Sequence, residues 1–218
     1  MKPLIIINFK TYPEAAGKKA LLLAQKISQI KKNNYEIILA PSLLTLMEVA
    51  EKTDLTVFSQ HADYTSLGAH TGRISIEELK LLGVKGTILN HSERKIPLQF
   101  LKEIVDLCKN NRLNAVVCAS NLAEIKKVAE FHPEYIAYEP EELIGGNISV
   151  TTAKPDIIVQ AVQAVEAISP KTKVLCGAGV HSKEDLGQAL LLGTKGVLIS
   201  HSVVKAKDPK KFLNEMLI

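Results

Sequence analysis

Short apolar runs rich in β-branched side chains recur along the whole chain, at residues 4–7, 37–40, 55–58, 86–89, 115–118, 135–138, 173–176 and 196–199. They predict eight strands. Within each run the apolar positions are continuous rather than alternating, which is what a parallel sheet covered on both faces requires. Between the runs the spacing becomes that of amphipathic helices. Ala20, Leu23, Ile27 and Ile30 form one stripe, Leu101, Ile104, Val105 and Cys108 a second, and Ile158, Val162, Val165 and Ile168 a third. Boundary signals agree with this alternation. Ser75 with Glu78 and Ser182 with Asp185 read as capping boxes, and Pro155 stands in the first turn of a helix that starts near Thr152.

Eight strand-helix units in 218 residues leave about 27 residues each, at the compact end for a closed (β/α)8 barrel. An open doubly wound sheet is the main competitor. No linker, low-complexity tract or compositional break divides the chain, so residues 1–218 read as a single domain. Two loops are long: residues 61–72, which carry Tyr64, Gly68 and His70-Thr71-Gly72, and residues 140–151, which carry two adjacent glycines. Long loops in compact domains are usually functional.

Composition narrows the function classes. With 46% apolar and 23% charged residues the chain has a globular balance. Its apolar runs fall far short of the roughly 18 residues that cross a bilayer, and its first residues lack the apolar stretch of a secretory signal, so a cytoplasmic protein without membrane contact is expected. Cys108, Cys118 and Cys176 have no paired spacing and read as reduced thiols. The net charge of +4 comes from scattered lysine pairs, Trp is absent and aromatics are 5%. Nucleic-acid binding is therefore not expected, although a modest positive field would gather small anions.

The informative positions are the polar residues that end the apolar strands. Strand one runs into Asn8-Phe9-Lys10, strand four into Asn90-His91-Ser92-Glu93-Arg94, strand six into Glu139-Pro140, strand seven into Gly177-Ala178-Gly179 and strand eight into Ser200-His201-Ser202. In a barrel these ends converge on one face, bringing an ammonium, an imidazole and a carboxylate into one mouth. No His/Cys/carboxylate cluster has metal-ligand spacing, and no G-x-G-x-x-G follows a strand, so neither a metal nor an organic cofactor is expected.

Four of these segments, in this order and each at a strand end, resemble triosephosphate isomerase: Asn8-Phe9-Lys10, Asn90 to Arg94, Ala137-Tyr138-Glu139-Pro140 through Leu143-Ile144-Gly145, and Gly177-Ala178-Gly179. The resemblance extends from residue 4 to about residue 207 and is strongest to the short archaeal form. It implies a TIM-barrel enzyme that interconverts dihydroxyacetone phosphate and glyceraldehyde 3-phosphate, in glycolysis and gluconeogenesis, without a cofactor. It implies that Glu139 is the base, that His91 polarises the carbonyl as a neutral imidazole with its pKa lowered by a helix N-terminus, and that Lys10, oriented by Asn8 and paired with Glu93, stabilises the enediolate and the phosphate. Ser92 would hold Glu139 in the open state. Pro140, Ile144, Gly145 and Gly146 would form a lid, with Ile144 and Leu198 closing over the base. Gly145, Gly177, Gly179, Ser200 and His201 would bind the substrate and its phosphate. The loop ending at His70-Thr71-Gly72 resembles one that reaches a neighbouring subunit, which implies a homo-oligomer, dimer or tetramer.

Three positions depart from the family pattern. The lid continues Gly145-Gly146-Asn147 where the family has a hydroxyl residue, His201 stands where a small residue is usual, and Lys95 replaces a common Arg. If its ring turned toward the anion, His201 would tighten phosphate binding as it gained a proton. Other functions compete at this level. Within enzymes the competitor is another sugar-phosphate isomerase or a Schiff-base aldolase using Lys10 as a nucleophile, and a catalytically silent phosphate-sugar sensor would keep the anion grip without needing Glu139.

Overall fold

In a computed structural model, which describes residues 2–30, 34–140 and 155–217, the eight strands close into a barrel in the order β1 to β8, every neighbouring pair parallel. The strands are β1 Leu4–Asn8, β2 Glu36–Ala40, β3 Thr56–Ser59, β4 Gly86–Leu89, β5 Asn114–Ala119, β6 Tyr135–Tyr138, β7 Lys173–Cys176 and β8 Gly196–Ile199. Closure by the β1 to β8 pairing excludes the open doubly wound sheet. The helices described are α1 Lys18–Ser28, α2 Leu43–Lys52, α3 Ile76–Leu81, α4 Leu98–Asn111, α5 Leu122–Ala129, α6 Pro155–Ile168, α7 Lys183–Leu191, α8 His201–Val204 and α9 Pro209–Met216.

The unbroken apolarity of the strands now has a physical reason. Ile6, Ile38, Phe58, Ile88, Val116 and Leu175 belong to a cluster made of strand residues alone, which fills the barrel. Their neighbours Ile5, Ile37, Val57, Leu89, Val117 and Val174 pack outward against the helices. Both strand faces are therefore buried, as a sheet with helices around it demands.

The α4 stripe holds, and the third holds in part, since Ile168 at the end of α6 is only partly covered. Leu101, Ile104, Val105 and Cys108 are the buried positions of α4. In α6 the buried positions are Ile158, Ala161 and Val165, while Val162 is only partly covered. A small side chain, not the larger one beside it, meets the sheet. Ser182 and Asp185 make the expected reciprocal capping box. At α3 the partner is Glu77 rather than Glu78: the Ser75 hydroxyl accepts from Glu77 N–H at 3.2 Å and donates to the Glu77 carboxylate at 2.8 Å. Thr152 lies outside the described residues.

Candidate active site

Asn8, Lys10, His91, Glu139, Gly177, Gly179, Ser200 and His201 all line one cleft of ≈ 340 Å³ at the C-terminal ends of the strands. The barrel thus brings together the predicted site residues that are described, with two exceptions: Pro140 does not line the cleft, and Glu93 lines a smaller adjoining hollow and reaches the cleft through Lys10. Ile144, Gly145 and Gly146 fall outside the described residues; Pro140 is buried.

Lys10 sits in the left-handed backbone region, with φ 48°. A lysine holds that conformation at a cost of about 1 kcal/mol or more, so its surroundings must fix it. Asn8 Oδ1 accepts from Lys10 N–H at 3.0 Å, and Gln60 Nε2 donates to Lys10 C=O at 3.1 Å and to Ala40 C=O at 2.9 Å. The Ser200 hydroxyl donates to Asn8 C=O at 2.6 Å, joining the ends of β8 and β1. The strained backbone aims the Lys10 side chain at Glu93, with Nζ 2.6 Å from Oε1. Lys10 is 18% exposed and Glu93 60%, so the pair orients the ammonium more than it stabilises the fold.

His91 Nδ1 accepts the N–H of Glu93 at 3.2 Å. A ring nitrogen that accepts carries no proton, so the hydrogen of the neutral ring is on Nε2. Burial first, and then the Lys10 charge, pull the His91 pKa down to about 4, with Lys95 adding to the drop and Glu93 opposing it. The expected helix N-terminus is not the cause. Residues 91–94 form a turn, and α4 starts only at Leu98, behind Pro97.

Glu139 follows β6 and is 6% exposed at its side chain. Burial pushes its pKa up to about 7; the Cys118 thiol, Lys10 and Lys95 act against the rise, and Glu93 adds to it. Its Oε1 lies 3.4 Å from His91 Nε2. Among the described residues its buried Oε2 has no hydrogen-bond partner, so Ser92 does not hold that oxygen. Such an orphaned carboxylate oxygen is costly to bury and is poised to take a proton. Gly177 makes this placement feasible, because a Cβ there would lie 2.5 Å from Glu139 Cγ. The predicted substrate residue thus lines the cleft and also leaves room for the carboxylate.

The other end of the cleft is built differently. Gly179 has φ 65°, a left-handed turn that glycine takes freely. Ser200 is the N-cap of the four-residue helix α8, and both Ser200 and His201 line the cleft. The His201 side chain is exposed and meets Tyr12 edge-on at 6.3 Å, and Lys205 Nζ lies 4.8 Å above the same ring. Leu198 belongs to the barrel interior and also to the cleft wall.

Lys95 does not lose bidentate contact by replacing Arg. Its single ammonium reaches both oxygens of Glu124, at 2.9 and 3.0 Å. Reading the strand ends missed Tyr12, Gln60 and Cys118. Gln60 stands directly after β3, where the same search would have found it. Among the described residues no group of His, Cys, Asp or Glu is arranged to hold a metal ion, and no helix is long and apolar enough to cross a membrane.

Comparison with known proteins bears on the whole chain. The family model described as triosephosphate isomerase matches residues 3–216. Relatives named triosephosphate isomerase include that of Methanothermus fervidus, 40% identical over 99% of this chain and 98% of the relative. That of Methanocaldococcus jannaschii is 41% identical over 98% of each. That of Methanobrevibacter smithii is 38% identical over 99% of this chain and 97% of the relative.

Proposed function

Given that the chain belongs to the triosephosphate isomerase family, whose members are isomerases of triose phosphates, we propose that Glu139, His91 and Lys10 carry the interconversion of dihydroxyacetone phosphate and glyceraldehyde 3-phosphate here. Glu139, as carboxylate, takes the proton from C1 of the ketone. The electron pair moves onto the C2 oxygen, which receives a hydrogen bond from His91 Nε2–H, and Lys10 offsets the negative charge of the enediolate. The hydroxyl proton on the C1 oxygen passes to the C2 oxygen by way of the His91 ring, and return of the proton from Glu139 to C2 leaves the aldehyde at C1. No atom is gained or lost. A neutral imidazole suits this work, because a cation at that place would pair with Glu139 and blunt the base.

The observation that carries the reading is the buried carboxylate oxygen without a partner, beside a neutral imidazole, in one cleft with an ammonium. Backbone N–H groups of Gly179, Ser200 and His201 bind the phosphate. An aldolase is disfavoured because Lys10 is committed to Glu93 as a cation and offers no lone pair. A coupled assay of Glu139→Asp tests the assignment. Drawing the base back by about 1 Å lowers turnover on the order of a hundredfold, and an unchanged rate removes Glu139 from its role. Borohydride added with substrate leaves the protein unlabelled; a covalent adduct on Lys10 would revive the aldolase.

The same reading covers assembly and location. Leu44 is 96% exposed, and Leu43, Met47, Tyr64 and Leu67 are exposed on the loops and helix that follow β2 and β3. Apolar surface of this kind supports a homo-oligomer, to be counted by light scattering. Three buried free thiols are compatible with a reducing cytoplasm.

A further inference from the structure

Asn90, the residue immediately before His91, has φ 58° and is almost fully buried. The direction in which His91 leaves β4 depends on this one left-handed residue, and a non-glycine side chain keeps such a conformation only where its surroundings over-determine it. Its side chain makes three hydrogen bonds. Nδ2 donates to Cys118 C=O at 2.9 Å and to Glu124 Oε1 at 2.8 Å, while Oδ1 accepts from Ile96 N–H at 3.0 Å. The amide therefore holds both ends of the turn that contains His91 and fastens that turn to β5.

Glu124 is the other half of the fastening. Standing in the first turn of α5, it accepts from Asn90, from Ser120 N–H at 2.8 Å, from the Ser120 hydroxyl at 3.0 Å and from Lys95 at both oxygens. These partners come from the strand-four turn and from the segment leading into α5. Neither Asn90 nor Glu124 lines the cleft, so neither touches substrate. A carboxylate with this many donors is out of proportion to holding one turn of a helix, whose own N-cap bond is made by Asn121.

We infer that Asn90 and Glu124 form one clamp that sets the orientation of the His91 ring, and that both are positioning residues for the isomerisation. The inference rests on the assignment of His91 as the carbonyl-polarising group. Ring and carboxylate meet at 3.4 Å across the cleft, and a displacement of about 1 Å at such a site costs up to a hundredfold in rate. The clamp acts on the transition state and leaves the phosphate end of the cleft alone, so turnover falls while KM stays.

The test uses Asn90→Gly, which tolerates the left-handed backbone but lacks the amide, and Glu124→Gln, which keeps shape while giving up an acceptor. Each single variant is expected to lose about tenfold in kcat with KM within twofold. The double variant is expected to be no slower than the slower single, since two halves of one clamp fail together. A second readout is independent of rate: nitrogen NMR of the imidazole is expected to give one Nε2–H tautomer in the parent and a mixture in either variant. If the losses multiply, or KM rises in step with falling kcat, or the tautomer is unmoved, the clamp is overturned. His91→Gln separates this failure from that of the underlying reading. A large loss there, with unchanged turnover in the clamp variants, removes the clamp alone; unchanged turnover in His91→Gln removes the electrophile and the clamp with it.

Discussion

The two ends of the cleft solve opposite problems. At the Glu139 and His91 end the groups are side chains, buried, with proton affinities moved far from their usual values: one up to about 7, the other down to about 4. At the Ser200 and His201 end the wall is a short helix and a glycine turn, where the donors proposed are backbone N–H groups, and the side chain beside them is open to solvent. Transfer of a proton needs dry, shifted, exactly matched partners, whereas a phosphate dianion needs donors that cannot themselves titrate. Substitutions at the first end should act on kcat and those at the second on KM.

The sharpest way to break this division is Glu139→Gln. The amide keeps the shape and cannot accept the proton, so kcat is expected to fall about 10⁴-fold, the upper range for a general base, while a competitive phosphate ligand binds as before. Coupled assay and inhibitor titration read the two quantities separately. Loss of ligand affinity in proportion to kcat would show that the two ends are not independent.

Gly177→Ala comes next. The new Cβ would stand 2.5 Å from Glu139 Cγ and 3.0 Å from the Tyr138 carbonyl oxygen, so the base or the loop must shift. Overpacking costs about 1–3 kcal/mol in stability, and a base moved by about 1 Å costs roughly a hundredfold in turnover. Steady-state rates and a melting curve on the same sample check both. Full activity would mean that Glu139 does not work from the position described.

The third test is pH. Glu139 must be ionised to act, so kcat/KM is expected to fall about tenfold per unit below pH 7 and to level off above it. His91 stays neutral over this range. The same two groups leave a mark on stability. Burial raises the Glu139 pKa above its ordinary 4.5, so that group favours the folded state at low pH and loses this contribution as pH rises toward 7. Burial lowers the His91 pKa from 6.5, so that group favours folding above 6.5 and loses it as pH falls toward 4. The slopes oppose each other between 4.5 and 6.5 and largely cancel. Glu139→Gln removes one of them, and the His91 slope then emerges as a loss of roughly 3 kcal/mol between pH 6.5 and 4, about 5–10 °C in Tm. A variant whose profile between pH 6.5 and 4 is no steeper than the parent's would contradict the burial assigned to His91.

How much of this could be read from residue order follows from distance along the chain. Strand ends were legible because a continuous apolar run stops at a polar residue, and that is a local event: Lys10, His91 and Glu139 were found in this way. The helix N-terminus that the family resemblance implies as the cause of the His91 shift is absent at His91, because Pro97 delays α4 to Leu98. The role of Gly177 was hidden because its contact is with a carboxylate 38 positions earlier, across the β6 to β7 pairing. The Asn90 clamp was hidden for the same reason, its partner being 34 residues away. Pattern reveals which residues reach the barrel mouth; it does not reveal which of them lean on one another.

The smallest expected effect belongs to the exposed end and is the most direct check on the comparison. The role proposed for His201 is a backbone N–H that any residue would supply, and its ring rests edge-on against Tyr12, beside Lys205, in solvent. His201→Ser should therefore leave kcat unchanged, alter KM by no more than about twofold, and keep the parent's pH dependence of inorganic phosphate inhibition. A loss of that pH dependence in the variant would mean that the ring reaches the anion. The phosphate end would then contain a titrating group after all, and the contrast with the Glu139 end would have to be redrawn as one of degree.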